Sequence, residues 1–290
     1  RNGRMTYREL LLSAEKILTE AKVPDAATDA LRLFEEYMEI SRAGFFMRQQ
    51  AVLEGEALKK SELFNEKVRM RAERVPLQYI LGDWDFYGRK FYIGEGVLIP
   101  RADTETVVEK CLELIKDVKR AKVLDLCAGT GCIGITLACE RTDASVILVE
   151  KYDTALEYTE KNVLANGANN AVAVKGDVLS GDYADRKYDL IVSNPPYISD
   201  ADMEKLQTEV TFEPKTALAG GIDGLDFYRA ITKNYKSALN EGGKLCFEIG
   251  IGEEKGVTEI LEQNGFCNIG TQNDTSNICR VVFGTVNIVK

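Results

Sequence analysis

Beyond residue 104 the chain alternates short apolar, β-branched runs with amphipathic stretches, and this alternation limits the possible folds more than any other feature. Seven runs have strand character, at 122–126, 145–149, 171–175, 190–193, 244–249, 266–271 and 279–284. Helical stretches at 104–118, 133–140, 154–166, 225–239 and 253–263 lie before and between them. Strands joined through helices pair in parallel, because a crossover needs a helix's length to return to the same edge, and the helices then cover both faces of the sheet. An α/β domain built on seven strands is predicted.

The preceding part is different. Residues 1–75 carry helical periodicity only. Thr6 and Glu9 have capping-box spacing and open a helix through Leu10, Leu11, Ala14, Ile17 and Leu18, which Pro24 closes. Ala30, Leu31, Leu33, Phe34 and Met38 mark a second helix, Phe45, Phe46 and Met47 start another apolar patch, and Ser61 is placed to cap a helix ending near Arg74. The four residues ahead of Met5 are either a natural extension or an added remnant, and the sequence favours neither. From 76 to 100 the pattern is aromatic and punctuated by glycine, as two short strands turning at Gly88 would be. The expected domains are a helical bundle over 1–75, a hairpin linker over 76–102 and the sheet domain over 103–290.

Composition removes whole classes of chemistry. Histidine is absent, so Ser-His and Cys-His catalysis, His-ligated zinc and histidine acid–base steps are excluded. The seven cysteines are irregularly spaced, have no evident ligand pattern and read as reduced thiols, mostly in the core; no metal is expected. A net charge of −9 has the wrong sign for gripping long stretches of nucleic-acid backbone. No apolar run is long enough to span a bilayer and no secretion signal opens the chain, so a soluble cytoplasmic protein is expected.

The first chemistry-bearing run is Val123-Leu124-Asp125-Leu126-Cys127-Ala128-Gly129-Thr130-Gly131-Cys132-Ile133-Gly134, a buried strand that turns through glycines into a helix. Gly129, Gly131 and Gly134 fit the G-x-G-x-x-G spacing, in which small residues let backbone N–H groups approach a ligand at a helix N-terminus. Glu150 closes the next strand, where a carboxylate can accept from both ribose hydroxyls of an adenosine. Asp177 follows the third strand, positioned to accept from an adenine amino group, with Val178 covering the ring. These elements suit a dinucleotide and S-adenosylmethionine equally.

Ser193-Asn194-Pro195-Pro196-Tyr197, at the end of the fourth strand, decides between them. Each proline fixes φ and restricts the residue before it, so Asn194 and Pro195 are held with their carbonyl oxygens available. Together these can accept both hydrogens of a planar NH₂ group while Tyr197 lies against its flat face. On this loop and acid, the Asn-Pro-Pro-Tyr run resembles that of the amino-directed methyltransferases. More specifically, the chain resembles the HemK/PrmC family, the peptide chain release factor glutamine methyltransferases. The matching runs are Val75-Pro76-Leu77-Gln78-Tyr79-Ile80-Leu81-Gly82, Val97-Leu98-Ile99-Pro100-Arg101, Asp103-Thr104-Glu105, Glu213-Pro214, Ala217-Leu218, Gly220-Gly221-Ile222-Asp223-Gly224-Leu225-Asp226 and Phe247-Glu248-Ile249-Gly250. The chain departs from the family at Cys127, usually glycine, at Ala102, at Glu150 in place of a more frequent Asp, and at Val178, often aromatic.

The resemblance implies a Rossmann-like seven-stranded methyltransferase domain, mostly parallel with one antiparallel strand, behind an N-terminal helical bundle and a β-hairpin linker. It implies S-adenosyl-L-methionine as cofactor, with S-adenosyl-L-homocysteine as product, held by Cys127, Ala128, Gly129, Thr130, Gly131, Glu150, Asp177, Val178 and Asn194. Asn194, Pro195, Pro196 and Tyr197 would bind the substrate, with Asn194, Pro195 and Tyr197 catalytic. That substrate would be the glutamine of the Gly-Gly-Gln loop of class 1 release factors, docked by the bundle, with a monomer that contacts neither nucleic acid nor membrane. Pro100, Arg101 and Thr104 would close over the site, Glu213 and the glycines around Asp223 would shape the channel, and Gln78 and Tyr79 would join the domains. The competing readings are a nucleic-acid amino methyltransferase, a nucleotide-dependent dehydrogenase that leaves Asn194 to Tyr197 unused, and a binding module with a decayed site.

Overall fold

The computed structural model describes residues 5–287, so the four residues ahead of Met5 lie outside it. The chain divides into two compact units: residues up to Gly82 together with Thr208–Phe212, and Asp83–Gln207 together with residues from Glu213 onward.

The first unit is helical, with α1 (Tyr7–Glu20), α2 (Ala26–Tyr37), α3 (Arg42–Arg48), α4 (Glu56–Ala72) and α5 (Leu77–Leu81). Thr6 and Glu9 form the expected capping box: the Thr6 Oγ1 accepts from the Glu9 amide at 3.2 Å, and the Thr6 amide donates to the Glu9 carboxylate at 2.8 Å. Leu10, Leu18, Leu33, Phe34, Phe64 and Val68 are buried at the centre, where Phe34 meets the ring edges of Phe45 and Phe64 at 5.3 and 5.6 Å. Ser61 caps nothing. The helix starts at Glu56, and Ser61 sits inside it with its hydroxyl donating to the Leu58 carbonyl, a bond that serves a short polar side chain on a helix as well as a cap would. Residues 77–81, placed by the sequence within the hairpin linker, form α5 instead, because Leu77 and Ile80 find burial on one face.

A buried ion network crosses this unit. The Arg71 Nε donates to Asp29 at 2.7 Å, and Arg71 and Arg74 both reach Glu209 on the 208–212 segment, Arg74 with two bonds of 2.7 Å. Its hydrogen bond from Arg74 is the largest influence holding the Glu209 carboxyl down at about 2, whereas for Asp29 burial outweighs the pull of Arg71 and the carboxyl is raised.

The second unit opens with the hairpin, β1 (Asp83–Phe86) and β2 (Arg89–Tyr92). Tyr87 and Gly88 make its two-residue turn, both with positive φ (51° and 68°), the geometry whose twist matches that of the flanking strands. Because the divide falls at Gly82, the hairpin belongs to the sheet unit, where the sequence had set a separate linker over 76–102. Then come α6 (Glu105–Leu114), β3 (Lys122–Leu126), α7 (Cys132–Glu140), β4 (Ser145–Glu150), α8 (Asp153–Ala165), β5 (Ala171–Lys175), β6 (Tyr188–Ser193), α9 (Asp200–Met203), α10 (Asp226–Tyr235), β7 (Leu239–Glu248), α11 (Glu254–Gln263), β8 (Phe266–Asn273) and β9 (Cys279–Val286).

The sheet has seven strands in the order β5-β4-β3-β6-β7-β9-β8, and β9 runs antiparallel to both its neighbours. Alternate residues of one strand feed opposite faces. Val123 packs with Val107 and Cys111 of α6 and Ile135 of α7, while Leu124 packs with Tyr228 and Ile231 of α10 and Val257 of α11. Strand order reverses between β3 and β6, which places an open crevice at their C-terminal ends. Among the described residues no helix is long and apolar enough to cross a membrane.

Candidate active site

That crevice is a cavity with about 1030 Å³ of empty space including its mouth, lined entirely by the second unit. Loops after β3, β4, β5 and β6 converge on it, which is what parallel strands require when every strand ends on the same side.

The loop after β3 supplies Cys127, Ala128, Gly129 and Thr130. Gly129 has a φ of 58° and nothing within 4 Å of where a Cβ would stand, so its backbone faces open space. Gly131 and Gly134 serve packing: an added Cβ would meet Ile135 at 2.7 Å and the Asp125 carboxylate at 2.8 Å respectively. Cys127 has a φ of 61°, a region a side chain enters at a cost of roughly 1–2 kcal/mol, which explains a preference for glycine there. Burial pushes its thiol well up, and that of Cys132 up to about 12, so neither is a reactive thiolate at neutral pH. All seven cysteines are free; Cys111, Cys132 and Cys246 are buried and the others half-buried.

Glu150 is held from three sides. Its Oε2 accepts from the Gly129 amide at 2.9 Å, and its Oε1 accepts from the amides of Lys151 and Tyr152 at 2.8 and 2.9 Å. A carboxylate has about four acceptor positions, so the side chain is fixed, with about one position left for a ligand. Asp177 pairs with Lys151 at 2.7 Å and accepts from the Leu179 amide at 3.0 Å; the lysine chiefly holds its carboxyl below the ordinary range. Val178 is buried beside it in the cavity wall.

Asn194 stands directly beyond β6, whose last residue, Ser193, donates its hydroxyl to the Leu126 carbonyl at 2.7 Å and so ties the ends of β6 and β3 together. Asn194 and Pro196 line the cavity, as do Cys127, Ala128, Gly129, Thr130, Glu150, Asp177 and Val178. Gly131, Pro195 and Tyr197 do not contribute to its wall. Pro195 is buried, and Tyr197 packs beside Gly250, where an added Cβ would lie 3.0 Å from the ring; burial holds its phenol proton on. The loop is pinned from outside by the Ile198 amide to the Leu218 carbonyl and the Gly220 amide to the Ile198 carbonyl, both 2.8 Å.

Leu98, Ile99 and Asp125, to which the sequence assigned no role, also belong to the site's surroundings. Leu98, Ile99, Pro100, Arg101 and Thr104 form one wall, fastened by buried Glu213, which accepts from the Ile99 amide at 2.9 Å and from Arg101. Asp125 is buried under the glycine loop, accepts from the Gly134 amide at 2.9 Å and is pushed up to about 7 by burial. The apolar run around Asp125 was its only signal.

A Gly-rich loop, an acid closing β4 and a rigid amide-bearing loop after β6, on this sheet, define a methyltransferase, and the Methyltransferase small domain family matches residues 104–264. The PrmC N-terminal domain matches residues 9–82. The chain is 39% identical to the release factor glutamine methyltransferase of Geobacter sulfurreducens over 97% of both chains, and 34% identical to that of Clostridium botulinum over 96% of this chain and 98% of the other. Its fold is similar to that of a T. thermophilus 16S rRNA N2 methyltransferase solved with AdoMet and guanosine, with a TM-score of 0.52 at 21% identity over 71% of this chain and 50% of that one. This chain belongs to the release factor glutamine methyltransferase family.

Proposed function

We propose that this protein methylates the side-chain amide nitrogen of the Gly-Gly-Gln glutamine of class 1 peptide chain release factors. The observation that carries this reading is the placing of Asn194 in one cavity wall with Gly129 and Glu150, so that an amide acceptor and an adenosine cradle share one space. When bound, S-adenosylmethionine supplies an electrophilic methyl group and is left as S-adenosylhomocysteine. The cradle fits it: Gly129 exposes its backbone, Glu150 keeps about one acceptor for a ribose hydroxyl, and Val178 offers an apolar surface to the adenine.

The chain's own work is positional. An amide nitrogen is a poor nucleophile because its lone pair is delocalised into the carbonyl. The side-chain oxygen of Asn194, a residue of the cavity wall, accepts from the amide N–H and favours electron density on nitrogen. Fixing reacting atoms about 3–3.5 Å apart contributes roughly 7–11 kcal/mol. Tyr197 supports this loop from behind, and the helical unit docks the release factor's body.

Gly220 tests the loop's support. A Cβ there would stand 2.7 Å from the Tyr197 Cα and 2.7 Å from the Gly224 carbonyl oxygen, both main-chain atoms. Gly220→Ala should displace the loop and slow turnover about tenfold or more, with little change in cofactor Kd. Unchanged turnover would show that the loop's position is not set from this side.

The function itself is tested by mass spectrometry of release factor incubated with the protein and S-adenosylmethionine. One added methyl on the Gly-Gly-Gln glutamine is expected. No methyl there, with transfer to rRNA or DNA in parallel incubations, overturns the substrate reading.

A further inference from the structure

Two buried polar groups near Asn194 play no part in the chemistry above. Glu248, the last residue of β7, is 3% exposed, and among the described residues its Oε2 has no hydrogen-bond partner; Thr104 is 2% exposed, and its Oγ1 has none there either. A buried polar atom without a partner is costly to retain and calls for a reason. Thr104 contributes to the same cavity wall as Asn194. The sheet brings Glu248 alongside: β6 and β7 pair with Ser193 opposite Phe247, so Asn194 and Glu248 follow at the same level on neighbouring strands.

The charged surroundings of Glu248 are mixed. Burial pushes its carboxyl up to about 7 and Asp103 pushes the same way, while the nearby Thr104 hydroxyl, Arg280 and Arg101 favour the ionised form. The Tyr197 and Tyr228 phenols and the Cys132 thiol also face it, and its charge helps to hold the proton on each. Arg280 is itself engaged with Asp103 and Asp274 at 2.7 and 2.8 Å, and Arg101 with Glu213, so among the described residues no cation pairs directly with Glu248.

Resting on the function proposed above, we propose that Thr104 and Glu248 form the path by which the proton leaves the newly methylated amide. As the nitrogen gains its methyl it becomes strongly acidic. One N–H bond breaks with its electron pair staying on nitrogen; the proton passes to the Thr104 Oγ1, and the hydroxyl's own hydrogen passes to Oε2 of Glu248. Thr104 ends unchanged and Glu248 neutral, to be discharged to solvent between turnovers. Thr104 meets the substrate; Glu248 acts through it and is a positioning residue.

The test is single-turnover methyl transfer to release factor by the full chain across a pH series, with S-adenosylmethionine Kd measured alongside. The wild-type rate should climb as pH rises through about 7, because the ionised acceptor is the competent one, and then level off. Glu248→Gln and Thr104→Val should each be slower by about 100-fold and show no such climb, with Kd nearly unchanged, while Glu248→Asp and Thr104→Ser recover most of the rate. Infrared difference spectra should show a protonated carboxyl that ionises over the same pH range in the wild type and is missing from Glu248→Gln. A Glu248→Gln variant with the wild-type rate and profile overturns the path. So does one that loses cofactor affinity in proportion to turnover. A wild type inert towards release factor overturns the substrate reading and this path with it.

Discussion

Asn194→Ala should lower single-turnover methyl transfer by about 100-fold or more while changing S-adenosylmethionine affinity by less than about threefold. The side chain stands on a loop that two prolines stiffen and Ser193 anchors, so truncation removes an acceptor without loosening its support. The cofactor cradle is built elsewhere, from Gly129 and the amide-locked Glu150, and should survive intact. Equal losses in turnover and affinity would mean that Asn194 holds cofactor rather than the reacting amide, and the assignment would fail.

Arg71→Met should destabilise the helical unit by about 3–5 kcal/mol, read as an earlier urea transition followed by helical circular dichroism. The side chains of Arg71 and Asp29 are only 6% and 11% exposed, so removing the guanidinium strands a carboxylate out of reach of water. Asp29 is already raised by burial, and without Arg71 it rises further. A carboxyl raised in the folded state binds its proton more tightly folded than unfolded, so the deficit should narrow as pH falls towards the ordinary Asp range and be widest at neutral pH. Adding Asp29→Leu should restore most of the loss. A shift below about 1 kcal/mol for the single variant would show that Arg74 alone secures Glu209 and that Asp29 is reached by water.

The sheet was readable because its determinants are local. Runs such as 122–126 and 190–193 are built round buried Val, Leu and Ile, the glycine turn and Asn194 directly follow a strand, and Glu150 ends one. What the sequence missed depends on partners far along the chain. Ser61 has the look of a cap, yet the helix starts at Glu56 because Leu58 and the residues after it continue the same turn. Leu77 and Ile80 look like hairpin residues until burial on one face makes a helix. The wall at 98–101 depends on Glu213, more than a hundred positions later, and no spacing rule links them. Tyr197 was read towards the substrate on chemical grounds; that its ring lies beside Gly250, more than fifty positions later, no spacing rule announces.

The reversed strand β9 has a consequence for how the protein is made. Because it runs against its neighbours, β9 begins where the others end, so the Arg280 carbonyl accepts from the Ile249 amide and the Arg280 side chain reaches Asp103. Asn194 leaves the ribosome 86 residues ahead of Arg280. Synthesis runs in one direction, and a chain still emerging therefore holds its glycine loop and amide acceptor well before Arg280, the partner of Asp103, arrives. The Arg280–Asp103 pair can close only once this last strand has emerged.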